Sequence, residues 1–284
     1  MARFALLVYP QLLSDFPGIY RLTGYLPAGV TRRMAAYLPP IRLSPIRGIV
    51  SEFDSRAIEG WFIGCPFTPE HLRTLPVATV AQKLLQAGRL AERLGARVLG
   101  IGDLPSLLGP TGDTVARTLA DSLRIAVTTG GSYALAAALE GIRLAAKLQG
   151  LELATAETAV LGSGAGLGET VARLLAREAR YLTLVGNDEY KLLRLAEHIR
   201  HDSGLAVTVS AKLKPVLARA DIVVVTSGGY GGSLQVSDLK RGAIVCDVTP
   251  TRDVARHLAP HLQAPRLVTG GLVAVPRPQD ALPH

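Results

Sequence analysis

The sequence predicts an α/β protein, in which an N-terminal α/β substrate domain precedes a C-terminal domain with a parallel sheet of the Rossmann type. Short apolar runs alternate with segments of helical periodicity along the chain. One of these runs leads directly into a glycine-rich turn that begins at Gly162. The chain has 284 residues, of which 48% are hydrophobic, so it is long enough for two cores.

The first half is α/β but irregular. A strand is predicted near the N-terminus, and two further strands are joined by a hairpin-like turn at Ser55. An apolar helix follows and ends at Gly95, and a second long helix begins after Ser132, a residue type that caps helices. The predicted strands are 4–8, 46–52, 58–63, 98–101 and 125–128, and the predicted helices are 76–94 and 133–149.

The second half is more regular. Its strands are almost continuously apolar, as a parallel sheet covered on both faces requires. We place the domain boundary near residue 128, with residues 1–127 in the substrate domain and 128–284 in the Rossmann-type domain. The predicted strands are 158–161, 181–185, 206–209, 221–226, 243–248 and 266–268.

Composition excludes several classes of protein. The net charge of +8 favours phosphate-bearing ligands and acidic partners, or is simply a solvated basic surface. Aromatic residues make up only 5% and basic residues are scattered, which argues against nucleic-acid binding. No apolar run is long enough to span a membrane, and no secretory signal opens the chain, so we expect a cytoplasmic protein.

Metal and disulfide chemistry lack the residues they need. Cys65 and Cys246 are too few for a disulfide framework or a cysteine zinc site. The closely spaced histidines have no cysteine or carboxylate set beside them, so no metal site is predicted.

The glycine-rich turn is the motif that indicates chemistry. It follows a strand and opens a helix, whose free N–H groups attract phosphate. Gly162 permits a tight turn, Gly164 lets backbone approach a pyrophosphate, and Gly168 lets the helix pack on the sheet. The alternative is a tight structural turn, but the surrounding βαβ pattern favours an NAD(P)-binding domain. The predicted binding residues of this turn are Gly162, Ser163, Gly164, Gly166, Leu167 and Gly168.

Three further positions complete the predicted cofactor site. Asn187 and Asp188 follow the second strand, where an acidic side chain binds the adenosine ribose and favours NAD. Asp188 is equally suited to the first turn of a helix. The other predicted binding residues end the fourth strand and follow the sixth, on the nicotinamide side: Thr226, Ser227, Gly270 and Gly271.

The chain resembles the cyanobacterial long-chain acyl-acyl-carrier-protein reductases from about Tyr37 to Val273. The resemblance is carried by Ile58-Glu59-Gly60, Phe67-x-Pro69-Glu70, Lys83-x-Leu85, Thr128-Thr129-Gly130, Gly162-x₅-Gly168, Ala220-Asp221-Ile222-Val223-Val224 and Gly270-Gly271. It implies NADPH as cofactor and an acyl substrate, so both NADP and NAD stay open. The broader layout also resembles shikimate dehydrogenases and glutamyl-tRNA reductases.

One departure from the family bears on mechanism. The family's acyl-accepting cysteine lies on a helix well downstream of the double glycine, and this sequence ends 13 residues after Gly271. The resemblance therefore implies fold and cofactor more securely than acyl transfer to a cysteine.

The catalytic candidates are Lys83, Glu59, Cys65 and Thr129. Lys83 lies in an apolar helical stretch, where its charge is costly unless paired or used to polarise a carbonyl. Cys65 is either a nucleophile or an unreactive thiol at a strand end. Glu59 matches the family pattern and is an acid/base candidate, as is Glu70, which otherwise starts a helix. Thr129 either orients substrate or caps the next helix.

The leading hypothesis is an NAD(P)-dependent oxidoreductase that transfers hydride to a carbonyl or acyl substrate in an interdomain cleft. The substrate is a small molecule or an acyl thioester, with an acidic carrier protein as an optional partner. The alternatives are a dinucleotide sensor without turnover, and a subunit that receives its missing helix from a partner chain. Oligomeric state is left open.

Overall fold

The computed structural model describes residues 3–10, 12–35, 37–50, 55–102, 108, 111–164, 166–227, 230, 232–249 and 252–271. The chain forms two compact units, and it passes from the first to the second between Gly130 and Gly131. No helix among these residues is long and apolar enough to cross a membrane.

The first unit is a five-stranded sheet with helices between its strands. The strand order is β2-β3-β1-β4-β5, in which β2 is antiparallel to β3 and the other neighbours are parallel. The predicted pairing of the two strands on either side of Ser55 is thereby confirmed, while residues 51–54 of the connection lie outside the described residues. The strands are β1 (Arg3–Val8), β2 (Ile41–Val50), β3 (Ala57–Gly64), β4 (Val98–Gly100) and β5 (Ala126–Thr128), and the helices are α1 (Phe16–Ile19), α2 (Ala28–Met34), α3 (Pro69–Thr74), α4 (Val77–Arg93) and α5 (Gly112–Ser122).

The short helices between β1 and β2 are not predicted by the sequence pattern. Two 3₁₀ turns, Leu13–Asp15 and Arg21–Tyr25, flank α1 there. Helices of one or two turns show too little periodicity to stand out. They enclose a small core of Phe16, Tyr20 and Ala35.

The second unit is a six-stranded parallel sheet. Its order, β11-β10-β9-β6-β7-β8, is the order 6-5-4-1-2-3 when this unit's strands are counted alone, which is the Rossmann arrangement. The predicted α/β fold is confirmed. The strands are β6 (Glu157–Leu161), β7 (Tyr181–Val185), β8 (Thr208–Ser210), β9 (Ile222–Val225), β10 (Ile244–Asp247) and β11 (Leu267–Thr269), and the helices are α6 (Gly131–Leu148), α7 (Leu167–Leu175), α8 (Glu189–Ser203), α9 (Leu213–Leu217) and α10 (Asp253–Leu258).

Burial follows the predicted pattern in this sheet. All residues of β9 and β10 are buried, because apolar clusters cover both faces. Cys246 is among them, as expected from its place in an apolar strand. Some boundaries differ from the prediction. The strand predicted at 46–52 is Ile41–Val50, and the strand predicted at 206–209 is Thr208–Ser210. The helix α6 begins at Gly131, so Ser132 lies in its first turn rather than at its N-cap.

Candidate functional site

The glycine-rich turn lies at the carboxyl end of β6, the first strand of the Rossmann-type sheet. The N–H of Gly162 donates to the carbonyl of Val185 at 2.8 Å, which ties the turn to β7. Ser163 is completely buried beneath it. The helix α7 starts directly afterwards at Leu167, so its N-terminal N–H groups face the turn.

Packing requires glycine at two positions of the turn. A Cβ on Gly162 would stand 2.2 Å from Oγ of Ser227, and one on Gly168 would stand 2.3 Å from the Gly162 carbonyl oxygen. Real Cβ atoms do not approach so closely, so only glycine fits at either position. The turn and the loop after β9 are therefore in direct contact.

The other two glycines face open space. Gly166 has a φ of 58°, a conformation that favours glycine whatever its surroundings. Gly164 does not have a positive φ, and among the residues that the structure describes a Cβ there would meet only Cβ of Lys191, at 3.9 Å. Neither packing nor backbone conformation requires glycine at 164, although the turn leaves room there for a ligand to reach the backbone.

Asp188 acts as the N-cap of α8 in the second βα loop. Its Oδ1 accepts a hydrogen bond from the Lys191 N–H at 3.1 Å, and its Oδ2 lies 3.2 Å from Lys191 Nζ. The backbone and side-chain hydrogen bonds from Lys191 lower the pKa of this exposed carboxyl. Asn187 beside it is exposed. Both functions considered for Asp188, helix capping and ribose binding, are compatible with this exposed position.

The remaining predicted cofactor residues lie at the same edge of the sheet. The hydroxyl of Thr226 donates to the Leu161 carbonyl at 2.9 Å, which fixes the end of β9 against β6. Gly270 follows β11 and donates from its N–H to the Asp247 carbonyl at 2.8 Å. Gly271 has a φ of 76° and lies against Ala134. The predicted cofactor residues thus all follow the carboxyl ends of strands of this sheet, namely β6, β7, β9 and β11.

Tyr230 and Asp247 belong to this region, although local sequence patterns barely indicate it. Burial raises the pKa of the Tyr230 phenol, and a hydrogen bond with the backbone of Gly162 opposes that rise. The sequence marks Asp247 only as a residue at a strand end. In the structure it is fully buried and accepts hydrogen bonds from the Thr249 N–H and hydroxyl and from the Ala255 N–H. The contact between Tyr230 and Gly162 joins residues far apart in the chain, so local periodicity does not predict it.

In the first unit, Cys65 and Lys83 lie close together. Cys65 directly follows β3, and its N–H donates to the Val8 carbonyl at 2.8 Å. Burial raises the pKa of its thiol from 9.0 to about 12, while the charge of Lys83 acts in the opposite direction. Lys83 is only 8% exposed on α4, between the fully buried Val80 and Leu84.

Glu59 and Thr129 are not brought to this pair. Glu59 lies at the amino end of β3, opposite Arg3 on β1, so Cys65 is roughly 20 Å further along the strand. Thr129 is exposed after β5, three strands from β3 and therefore about 14 Å away in the sheet. Glu70 is in the first turn of α3 and pairs with Arg32 at 3.3 Å. Of the first-unit candidates, Cys65 and Lys83 are the pair that interacts electrostatically.

Chemically, the second unit offers backbone N–H groups and small residues at the carboxyl ends of its strands, with open space at Gly164 and Gly166, which suits a phosphate-bearing dinucleotide. The first unit offers a buried ammonium group beside a protonated thiol. The described residues contain no group of three or more histidine, cysteine, aspartate or glutamate side chains that could hold a metal ion.

No protein-family model matches the chain, and no curated protein matches it significantly by sequence. Solved structures are similar to it in fold. Quinate dehydrogenase from Corynebacterium glutamicum in complex with NAD is 18% identical, with 91% of this chain and 85% of that chain covered and a TM-score of 0.47. L-Tryptophan dehydrogenase from Nostoc punctiforme is 19% identical, with 91% and 68% covered and a TM-score of 0.43.

Transferases are similar to the chain as well. Ornithine carbamoyltransferase from Pyrococcus furiosus is 10% identical, with 94% of this chain and 78% of that chain covered and a TM-score of 0.47. With every one of these TM-scores below 0.5 and two enzyme classes represented, the likeness assigns no activity to this chain.

Proposed function

We propose that this chain is an NAD(P)-dependent oxidoreductase that acts on a carbonyl or acyl substrate. The observation that carries the proposal is Gly164. It is a glycine that neither its backbone conformation nor packing against the described residues requires, in the first βα turn of a sheet with Rossmann order. A dinucleotide pyrophosphate needs close approach to the backbone at this place.

The binding residues follow from the positions of the loops. The N-terminus of α7 and the turn from Gly162 to Gly168 would hold the pyrophosphate. Asn187 and Asp188 would bind the adenosine ribose. The nicotinamide side would be bounded by Thr226, Ser227 and the pair Gly270 and Gly271. NAD and NADP both remain candidates, because Asp188 favours the first and the acyl-reductase resemblance favours the second.

The cofactor, when bound, supplies or accepts the hydride. The chain's own contribution is to orient the substrate and stabilise its carbonyl oxygen. Lys83 is our candidate for the latter, because an ammonium group shielded from water is an effective donor to a developing oxyanion. Cys65 is assigned no nucleophilic role, since a thiol with a pKa of about 12 is almost entirely protonated near neutral pH.

The substrate class rests on the resemblance to acyl-carrier-protein reductases and stays a proposal. A carbonyl compound or an acyl thioester, free or on an acidic carrier, is the expected substrate. The buried state of both cysteines also favours a second candidate function, dinucleotide binding without turnover, because neither thiol is placed to accept an acyl group.

Calorimetric titration of Gly164→Val with NAD(H) and NADP(H) tests the binding proposal. The valine side chain would occupy the place of the pyrophosphate, so we expect binding to be lost and the melting temperature to be nearly unchanged. Gly29→Val, an exposed helical glycine with nothing around its Cβ, is the control and should bind as the parent does. Parent-like binding by Gly164→Val would reject this site.

Turnover separates the two candidate functions. Nicotinamide absorbance is followed with a panel of aldehydes, acyl thioesters and 2-hydroxy acids. Cofactor oxidation or reduction with one of them supports the enzyme. Tight dinucleotide binding with no turnover of any member supports the non-catalytic alternative.

A further inference from the structure

The proposed function leaves unused a cavity of about 910 Å³ in the first unit. Cavities of roughly 300–1,000 Å³ are the size of small-molecule binding sites. Its lining residues all lie between Val8 and Ser44 and include none of the proposed cofactor-binding residues.

The cavity exists because of how the helical segment after β1 meets the sheet. Val8, Gly64 and Ile41 are neighbours across β1, β3 and β2, at the carboxyl ends of the two parallel strands. Ile19 of α1 packs over Gly64 so closely that a Cβ on Gly64 would stand 2.6 Å from its Cγ2. The Tyr20 hydroxyl lies 2.9 Å from the Pro39 carbonyl oxygen. These contacts fix α1 on the strand ends.

Most of the wall is apolar. It is formed by side chains from β1, the helical segment and the start of β2, among them Val8, Ile19, Leu26, Met34, Leu38 and Leu43. An apolar surface of this kind favours the apolar body of a ligand over water.

Two arginines contribute positive charge to the cavity wall. Arg21 and Arg42 line it, and both are exposed. The guanidinium carbon of Arg42 lies 5.0 Å from the centroid of the Trp61 ring, so this side chain is held in place. Among the described residues, neither arginine forms an ion pair.

The other polar groups of the wall do not cancel this charge. Asp15 is the one acidic residue of the lining, and its Oδ2 already accepts the Leu12 N–H at 2.8 Å. The hydroxyl of Ser44 is buried and has no hydrogen-bond partner among the described residues. Two arginines against one aspartate leave a net positive wall.

We propose that this cavity binds a single organic anion with an apolar body, its charged group beside Arg21 and Arg42 and its body against the apolar wall. The proposal is independent of the cofactor site.

Two fluorescent naphthalenes test the proposal. The anionic probe is 8-anilinonaphthalene-1-sulfonate, and the neutral probe is N-phenyl-1-naphthylamine. We expect the folded parent to bind one equivalent of each. Gly18→Phe should bind neither probe, because Gly18 lines the cavity and its Cβ position is open, so the phenylalanine ring has room to fill the cavity. Gly29→Phe is the matched control, a helical glycine with equally open surroundings outside the lining, and should bind both.

Charge is tested separately. Arg42→Gln should lower the affinity for the anionic probe about fivefold and leave the affinity for the neutral probe unchanged. One charge interaction at 4 Å in water accounts for a factor of about five. Arg47→Gln, on the same strand but outside the lining, should change neither. If Gly18→Phe does not give a cooperative thermal transition, Met34→Trp replaces it as the filling variant.

Three results would overturn the proposal. The first is a folded parent that binds neither probe, or binds several equivalents weakly. The second is parent-like binding of both probes by a folded filling variant. The third is an equal loss of affinity for both probes in Arg42→Gln, since the arginine would then act through packing rather than charge.

Discussion

Gly168 and Gly162 are in such close contact that a single added carbon on Gly168 would stand 2.3 Å from the Gly162 carbonyl oxygen. The same carbon would lie 2.6 Å from Oγ1 of Thr226 and 2.8 Å from Cα of Ser163. Two of these three neighbours are backbone atoms, which have little freedom to move. The start of α7 therefore packs directly against the turn that precedes it, with no room for a side chain at Gly168.

Gly168→Ala should destabilise the protein by about 3 kcal/mol, near the upper end of what overpacking usually costs. Urea unfolding followed by far-ultraviolet circular dichroism measures this. Gly164→Ala is the matched comparison, and its stability should stay within about 0.5 kcal/mol of the parent because its Cβ meets only Lys191 at 3.9 Å. Equal stability of the two variants would show that the turn yields to the added carbon without cost, contrary to this prediction.

Asp188→Ala should shift cofactor preference towards NADP(H), because it removes a carboxylate that repels a 2′-phosphate and frees Lys191 to bind one. The same change deletes a helix cap worth about 1 kcal/mol. Asp188→Ser keeps a capping oxygen without the charge, so it should show the shift in preference with less loss of stability. The ratio of the two dissociation constants is the measurement, and an unchanged ratio in both variants would remove Asp188 from the site.

The thiol of Cys65 makes stability depend on alkaline pH. Its pKa rises from 9.0 to about 12 on folding, so the unfolded chain loses a proton between these values that the folded chain retains. Stability is thus unaffected below pH 9 and falls as the pH rises from there towards 12. At pH 10.5 the difference is about 2 kcal/mol. The fall in urea midpoint between pH 8 and about pH 10.5 should be smaller in Cys65→Ala, and an identical fall would show that the thiol is ionised in the native protein.

The protein should not form a covalent acyl-enzyme through its cysteines. Cys65 and Cys246 are both buried, and burial raises the pKa of each thiol to about 12. Intact-mass spectrometry after incubation with a long-chain acyl thioester, without cofactor, should show no added acyl group. A gain of one acyl mass that disappears in Cys65→Ser would establish the opposite, a two-step mechanism with Cys65 as nucleophile.

Lys83→Met should reduce hydride transfer by at least about 100-fold, the usual contribution of a positioned acid or electrostatic donor. Methionine retains most of the buried stem, and Lys83 is not among the proposed cofactor residues, so cofactor affinity should not change. Stopped-flow measurement of nicotinamide absorbance gives the rate, and calorimetry gives the affinity. Lys147→Met, an exposed lysine on α6, is the control. Full activity of Lys83→Met would show that Lys83 has no role in hydride transfer.

The sequence by itself determined the alternation of strands and helices, the hairpin before β3 and the buried strands of the second unit. It also located the glycine turn, because strand, turn and helix are consecutive there. Each of these features is local: apolar periodicity reports which face of an element is buried, and glycine reports where a side chain cannot fit.

Only the tertiary structure decided which distant residues meet. It brought Ser227 against Gly162 and Lys83 within electrostatic range of Cys65. It also separated Glu59 from Cys65 and formed a cavity beside the short helices after β1. These outcomes depend on strand order and on the packing of elements far apart in the chain. Periodicity within a segment records that it is buried but not what it is buried against, so such contacts become visible only when the chain is folded.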